Sequence, residues 1–142
     1  MESRSQQAAE KKRCGKYNCA QAVACTYADL TGLDEEAIKA ATAAFGTGMG
    51  TMDGTCGALV GAGVVLGCRI RDRVAARAAM KRIMEKFKAR NGATVCRDLK
   101  GIGTGIVLRD CDGCVADAAA LLEEEIERLF NACRNPYSLQ NC

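Results

Sequence analysis

Apolar residues recur at helical spacing along most of this chain, and no segment alternates convincingly between apolar and polar positions. The pattern predicts a first helix over about 6–30. Its inward face carries Cys19, Val23, Tyr27 and Leu30. Thr31 and Gly32 end this helix, and Asp34 is a suitable N-cap for the next one.

Four further helices are predicted, over about 34–45, 55–67, 71–90 and 115–133. The third is apolar on nearly every side, which is typical of a buried central helix. The segments 46–54 and 93–113 are rich in glycine and are predicted loops, and only 105–108 is a candidate strand. We therefore expect an all-α fold: one domain, 1–142, built as a bundle of about five helices around a buried central helix.

Ten cysteines and no histidine stand in 142 residues. Without histidine there is no Ser-His or Cys-His catalytic pair and no His-ligated metal site, so any chemistry here depends mainly on sulfur. The N-terminus lacks an apolar run suited to a signal peptide, and no apolar stretch is long enough to span a bilayer. We expect a cytoplasmic protein, where clustered thiols favour metal or redox chemistry over a disulfide framework.

Cys56 is the strongest single candidate, because it stands at the start of the predicted central helix, just after a glycine-rich loop. A helix N-terminus stabilises a thiolate, which is both a nucleophile and a metal ligand. Cys111 and Cys114 form a C-x-x-C pair, whose spacing suits one metal ion or a redox disulfide. The plainer interpretation of Cys56 is a small buried hydrophobe, and that of Cys111 and Cys114 is two unrelated cysteines.

Cys19 on the first helix and Cys96 in the second predicted loop bring the candidate sulfurs to five. Four or five thiolates from separate segments are enough for a tetrathiolate metal site if they converge. The remaining cysteines are expected to pack in the core or to hang free: Cys14, Cys25, Cys68, Cys133 and Cys142.

Three glycines beside these cysteines are candidate cofactor-binding positions, because they let backbone approach a bound group: Gly48, Gly50 and Gly57. The loop that holds the first two lacks the Lys-Ser/Thr of a P-loop and follows a helix, so a nucleotide site is disfavoured.

The fourth helix is strongly basic and the last helix is acidic, so the two are expected to align, within one chain or between two copies as a homodimer. The net charge is only +3 and aromatic residues are scarce, so we expect no nucleic-acid partner and no membrane association. The bland interpretation of the basic residues is a solvated helix face.

Several motifs together are similar to the C_GCAxxG_C_C family of small bacterial and archaeal proteins. They are Asn18-Cys19-Ala20-Gln21-Ala22-Val23, Phe45-Gly46-Thr47-Gly48-Met49-Gly50, Cys56-Gly57-Ala58-Leu59-Val60-Gly61, Cys96-Arg97-Asp98-Leu99, and Cys111 with Val115. The resemblance spans about 18–119 and matches four ordered cysteines, Cys19, Cys56, Cys96 and Cys111. It implies a helical fold and a redox or metal role, with an iron–sulfur cluster in the related split-Soret cytochromes.

This chain departs from the family pattern at two places. Gly57 stands between Cys56 and Ala58, so the segment is C-G-A-x-x-G rather than C-A-x-x-G. Cys114 adds a sulfur that competes with Cys111 as the fourth ligand.

Three functions follow as hypotheses. In the first, Cys19, Cys56, Cys96 and Cys111 or Cys114 hold an iron–sulfur cluster or another thiophilic metal and transfer electrons to an unknown redox partner. In the second, the protein is a thiol–disulfide oxidoreductase with Cys56 as its catalytic nucleophile. In the third, it is a non-catalytic helical module that binds a partner through its basic helix.

Overall fold

The chain folds as a bundle of α-helices, as the computed structural model shows for residues 1–134. The seven helices are α1 Ser5–Arg13, α2 Cys19–Thr26, α3 Glu35–Ala41, α4 Gly57–Ile70, α5 Arg73–Asn91, α6 Cys96–Lys100 and α7 Cys111–Arg134. Over this part of the chain there is no strand, only one isolated antiparallel bridge between Thr55 and Val95. The all-α class is confirmed, the count of about five helices is too low, and the segment 105–108 forms no strand.

The single first helix predicted over 6–30 is wrong, because the chain turns between α1 and α2. Gly15 takes a left-handed conformation there, at φ 81°. Asn18 then starts α2 through a capping box: its side chain accepts from the Gln21 amide, and the Gln21 side chain accepts from the Asn18 amide. A 3-10 turn, Ala28–Leu30, completes the segment.

The predicted N-cap of the second helix is confirmed, because the Asp34 side chain accepts a hydrogen bond from the Ala37 amide. The helix itself is shorter than expected: α3 ends at Ala41, and a separate 3-10 turn, Ala43–Phe45, follows. This turn carries the chain to the glycine-rich loop 46–54.

The central helix α4 is buried as predicted and packs most extensively on α2. Two of its glycines face that helix at very close range. A Cβ on Gly61 would lie 2.4 Å from the Ala20 carbonyl oxygen, and one on Gly57 would lie 3.3 Å from the Cys19 Cβ. The two backbones can therefore meet only because these positions lack side chains, which brings Cys19 next to the start of α4.

The acidic helix α7 packs against α1, α4 and α5 and carries the expected charge pairing within one chain. Arg82 of α5 binds the buried carboxylate of Glu125 through two nitrogens, and Lys86 contacts Glu124 at 3.0 Å. Part of the basic face of α5 is thus neutralised by the chain itself.

The predicted loop 93–113 is partly helical. The short helix α6 starts at Cys96, and α7 begins at Cys111 rather than at Val115. Cys111 and Cys114 therefore lie in the first turns of a helix, not in a loop. No helix among residues 1–134 combines the length and apolar character that crossing a membrane requires.

Candidate cysteine redox site

Five cysteines from four helix starts line one cavity of about 40 Å³. They are the five that the sequence singled out, Cys19, Cys56, Cys96, Cys111 and Cys114. Each lies at or near the N-terminal end of its helix: α2, α4, α6 and α7 in turn. The folded bundle thus assembles into one site the sulfurs that are scattered over 95 positions of sequence, from 19 to 114.

Cys56 is the N-cap of α4 rather than a residue of its first turn, and its side chain is 5% exposed. Three groups stabilise its thiolate. The Cys114 side chain interacts with it, and the backbone amides of Ala58 and Leu59 approach it from the first turn of α4. These contacts lower the pKa of Cys56 in spite of its burial.

Cys114 is the partner of Cys56 in this contact. The contact and burial raise the pKa of Cys114 well above the ordinary value. The Cys114 thiol donates a hydrogen bond to the Arg109 carbonyl oxygen, at 3.8 Å. Of the two sulfurs, Cys56 is therefore the one that ionises more readily.

Cys19 and Cys111 form a second pair of the same kind. The Cys19 thiol donates to Cys111, and Lys100 and Lys12 add positive charge nearby; together they lower the pKa of Cys111 to about 6. The same hydrogen bond, with burial, raises the pKa of Cys19. Cys111 is half-buried, whereas the other four cysteines of the site are buried.

Cys96 is the fifth sulfur of the cavity. Burial raises its thiol pKa. The backbone on either side of it is held by the glycine-rich loop, since the Cys96 amide donates to the Gly54 carbonyl and the Arg97 amide to that of Met52. Loop 46–54 thereby fixes the start of α6 against the cavity.

The three candidate glycines occupy different places. Gly57 lines the cavity. Gly48 is left-handed at φ 54°, and a Cβ there would lie 2.5 Å from the Cys96 Cβ, so it seats α6 rather than facing the sulfurs. Gly50 has open space around it, and among the described residues neither Gly48 nor Gly50 contributes to the cavity wall.

The other cysteines lie away from the cavity. Cys14 is exposed after α1, Cys25 is buried within α2 and Cys68 is half-buried near the end of α4. Cys133 stands near the end of α7, and Cys142 lies outside the described residues. The sequence-based division of the ten cysteines into two groups agrees with this placement for the nine described.

Sequence reasoning missed the cations of the site. Lys12 of α1, Lys100 at the end of α6 and Arg109 before α7 all line the cavity. Arg109 is paired with Asp117, at 3.2 Å. Each of these residues is unremarkable in a lysine- and arginine-rich chain, and only the fold brings them to one place.

The five thiols match a thiophilic metal in their chemistry but not in their arrangement. Within residues 1–134, no three Cys, Asp, Glu or His side chains are grouped so that they could hold a metal ion. The described arrangement is instead two hydrogen-bonded sulfur pairs with Cys96 beside them.

The fold and the site together define a small all-helical bundle with a cluster of five cysteines around one cavity. The chain belongs to the C_GCAxxG_C_C family: a family model described as "Putative redox-active protein (C_GCAxxG_C_C)" matches residues 17–125. The family suggested by the sequence motifs is thereby confirmed, and with it a redox role. Comparisons with curated proteins and with solved structures give no significant match.

Proposed function

We propose that this protein is a thiol-based redox protein in which Cys56 and Cys114 form the working dithiol–disulfide couple. The observation that supports this best is that both sulfurs line one small cavity, where each is the largest influence on the pKa of the other. A thiolate held against a thiol is the arrangement from which a disulfide forms. This is the second of the three sequence hypotheses, in which Cys111 or Cys114 could resolve, with Cys114 now assigned as the resolving thiol.

The reaction balances with a disulfide as oxidant. The Cys56 thiolate attacks one sulfur of that disulfide, and the other sulfur leaves as a thiolate and takes a proton. The Cys114 thiol then loses its proton and attacks the Cys56 sulfur, which releases the second half of the oxidant as a thiol. One S–S bond has formed and one has broken, and two electrons have passed to the oxidant.

The residues around the couple favour this chemistry in the reduced state. The amides of Ala58 and Leu59 hold the Cys56 thiolate at the positive end of α4, and burial keeps bulk water away from both sulfurs. The cytoplasmic location expected from the sequence would supply reducing partners.

A redox titration in dithiothreitol buffers tests the proposal. We expect a two-electron transition that peptide mapping of the oxidised protein assigns to a Cys56–Cys114 bond. Cys56→Ser and Cys114→Ser should each abolish that transition, whereas Cys25→Ala, which alters a buried thiol outside the cavity, should leave it in place. Retention of the transition in Cys56→Ser would refute the assignment.

A metal centre is the second candidate, favoured by one observation: five sulfurs line the cavity, one more than the two pairs use. An iron–sulfur cluster or another thiophilic metal would draw its ligands from Cys19, Cys56, Cys96 and Cys111 or Cys114, after the side chains leave their present pairs. A bound cluster would supply one-electron transfer.

Iron, sulfide and zinc analysis with a visible spectrum, on anaerobically purified protein, separates the two candidates. A colourless, metal-free protein that keeps its dithiol transition would eliminate the metal centre. Cys96→Ser is the discriminating variant, because the metal centre draws on Cys96 and the Cys56–Cys114 couple does not.

A further inference from the structure

The Cys56–Cys114 couple is buried. Cys56 is 5% exposed and Cys114 is 3% exposed, and both line a cavity of about 40 Å³, room for only a few water molecules. Burial therefore slows direct attack of Cys56 on a disulfide carried by another molecule. A more exposed sulfur in the same cavity offers a faster route.

Cys111 is the one half-buried sulfur of the cavity, and the other four are buried. It lies at the first residue of α7 and three residues before Cys114, so the two side chains project from the same helix face, about one turn apart. Its own partner, Cys19, donates a hydrogen bond to it from the start of α2. One sulfur of this outer pair thus meets solvent while both lie in the same cavity as the inner pair.

Two lysines give this outer pair a positive setting. Lys12 and Lys100 both line the cavity and both act on Cys111, and each side chain is half-buried. The departing thiolate of an incoming disulfide would leave beside these ammonium groups. The mouth of the cavity is thus suited to release an anionic sulfur.

Building on the proposed function, we propose that Cys111 and Cys19 form an exchange pair that takes up oxidising equivalents from a partner disulfide and passes them to the buried Cys56–Cys114 couple. The four cysteines then act in series as an outer and an inner dithiol. This assigns Cys111 the first contact with the substrate and Cys19 its resolution.

Each exchange is balanced. The Cys111 thiolate attacks the partner disulfide and expels one thiolate, which takes a proton. Cys19 loses its proton and attacks the Cys111 sulfur, which releases the second partner thiol and leaves a Cys19–Cys111 bond. The Cys56 thiolate then attacks the Cys111 sulfur and expels Cys19. In the last step Cys114 gives up its proton, attacks the Cys56 sulfur and expels Cys111. Cys19 regains a proton, Cys111 returns as a thiolate, and the inner pair holds the disulfide.

The experiment uses oxidised glutathione as the disulfide, added to fully reduced protein under anaerobic conditions. To limit reaction outside the cavity, the parent protein carries Cys14→Ser, Cys68→Ser, Cys133→Ser and Cys142→Ser. Acid quenching and peptide mapping over time report which bonds form. We expect Cys19–Cys111 to appear first and Cys56–Cys114 to accumulate later.

Two variants test the order. In Cys111→Ser, formation of the Cys56–Cys114 bond should slow by roughly tenfold or more, because the exposed nucleophile is gone. In Cys19→Ser, a glutathione adduct should be detected on Cys111, because the resolving thiol is missing. Circular dichroism checks that both variants keep the helical fold, and Cys25→Ala serves as the matched control with unchanged kinetics.

The possible outcomes distinguish failure of the exchange role of Cys111 from failure of the proposed Cys56–Cys114 couple. If Cys111→Ser oxidises at the parent rate, or if the adduct in Cys19→Ser is found on Cys56 or Cys96, the exchange role of Cys111 is refuted and the inner couple stands. If the parent never forms a Cys56–Cys114 bond, the proposed function itself fails.

Discussion

Cys114 meets Cys56 in the cavity and so joins the first turns of α7 to the residue that caps α4. This contact is the largest of the influences that lower the pKa of Cys56; the α4 amides add to it, and burial opposes it. The thiolate therefore depends on a side chain from another helix, not on its helix position alone.

Replacing that side chain should make Cys56 harder to ionise. In Cys114→Ala the amides of α4 remain, but the interaction with Cys114 is lost and no longer offsets the effect of burial. The pKa of Cys56 should therefore rise by roughly one unit or more. Ultraviolet thiolate absorbance, titrated against pH with Cys56→Ser as the blank, measures the shift. Cys25→Ala is the control; an unmoved Cys56 titration in Cys114→Ala would show that the amides alone hold the thiolate.

Alkylation of Cys111 by iodoacetamide should follow its thiolate. Because its pKa is lowered to about 6, the rate should be nearly constant above neutral pH and fall as the pH drops through about 6. Lys100→Gln removes one neighbouring cation, so the midpoint should move upward, by roughly one pH unit. Lys88→Gln, on the exposed surface of α5, should leave it in place. An unchanged midpoint in Lys100→Gln would show that Lys100 does not lower the pKa of Cys111.

The close crossing of α2 and α4 should tolerate no side chain at Gly61. The added methyl of Gly61→Ala would stand 2.4 Å from the Ala20 carbonyl oxygen, so the helices must separate, at a cost of roughly 1–3 kcal/mol in unfolding free energy. Gly67 offers a matched control on the same helix, because its Cβ would meet nothing within 4 Å. Gly67→Ala should instead stabilise by up to about 1 kcal/mol through helix propensity.

Chemical denaturation of both glycine variants measures these opposite effects. Since Gly57 and Gly61 set the distance between Cys19 and the start of α4, Gly61→Ala should also weaken the pairing of the cavity sulfurs. Equal stability of the two variants would show that the crossing adapts without strain.

The buried tyrosine that follows α2, Tyr27, should contribute measurably to the stability of the fold. Tyr27 is fully buried and its hydroxyl donates to Glu123 at 2.9 Å; the same carboxylate accepts from Ser3 and from the Arg4 amide. Tyr27→Phe should destabilise the fold by roughly 1.5–3 kcal/mol, because a hydrogen bond to a buried charge is lost.

Tyr17 is the internal control for this prediction. Its hydroxyl donates to Glu35 at 3.1 Å in an exposed setting, so Tyr17→Phe should change the unfolding free energy by less than about 1 kcal/mol. Thermal and denaturant unfolding of the pair measure the difference. Similar losses in both variants would show that burial does not strengthen the Tyr27–Glu123 hydrogen bond.

The fold class and the buried central helix follow from apolar spacing alone, because α4 is apolar on all sides and can only be interior. The break between α1 and α2 was missed although a local signal exists: Asn18 and Gln21 are spaced as a capping box. The short helix α6 has only five residues, too few for a periodic pattern to reveal.

The five cysteines that the sequence singled out by their positions beside glycines, helix starts and the C-x-x-C spacing all line one cavity. Their pairing was beyond the sequence, because Cys19 meets Cys111, and Cys56 meets Cys114, only through helix packing. The contributions of Lys12 and Lys100 were equally hidden, since a lysine becomes part of a site only through what packs around it.

The sequence separation between Cys56 and Cys114 determines how much a bond between them would stabilise the fold. Cys56 and Cys114 stand 58 positions apart, so a bond between them would tie α4 to α7 and shorten the free length of the unfolded chain. In the chain-entropy model such a crosslink adds about 4 kcal/mol to the stability of the fold. The reduced bundle would then be the less stable of the two states and the first to be cleaved by a protease. The lifetime of the protein would therefore depend on how oxidising its surroundings are.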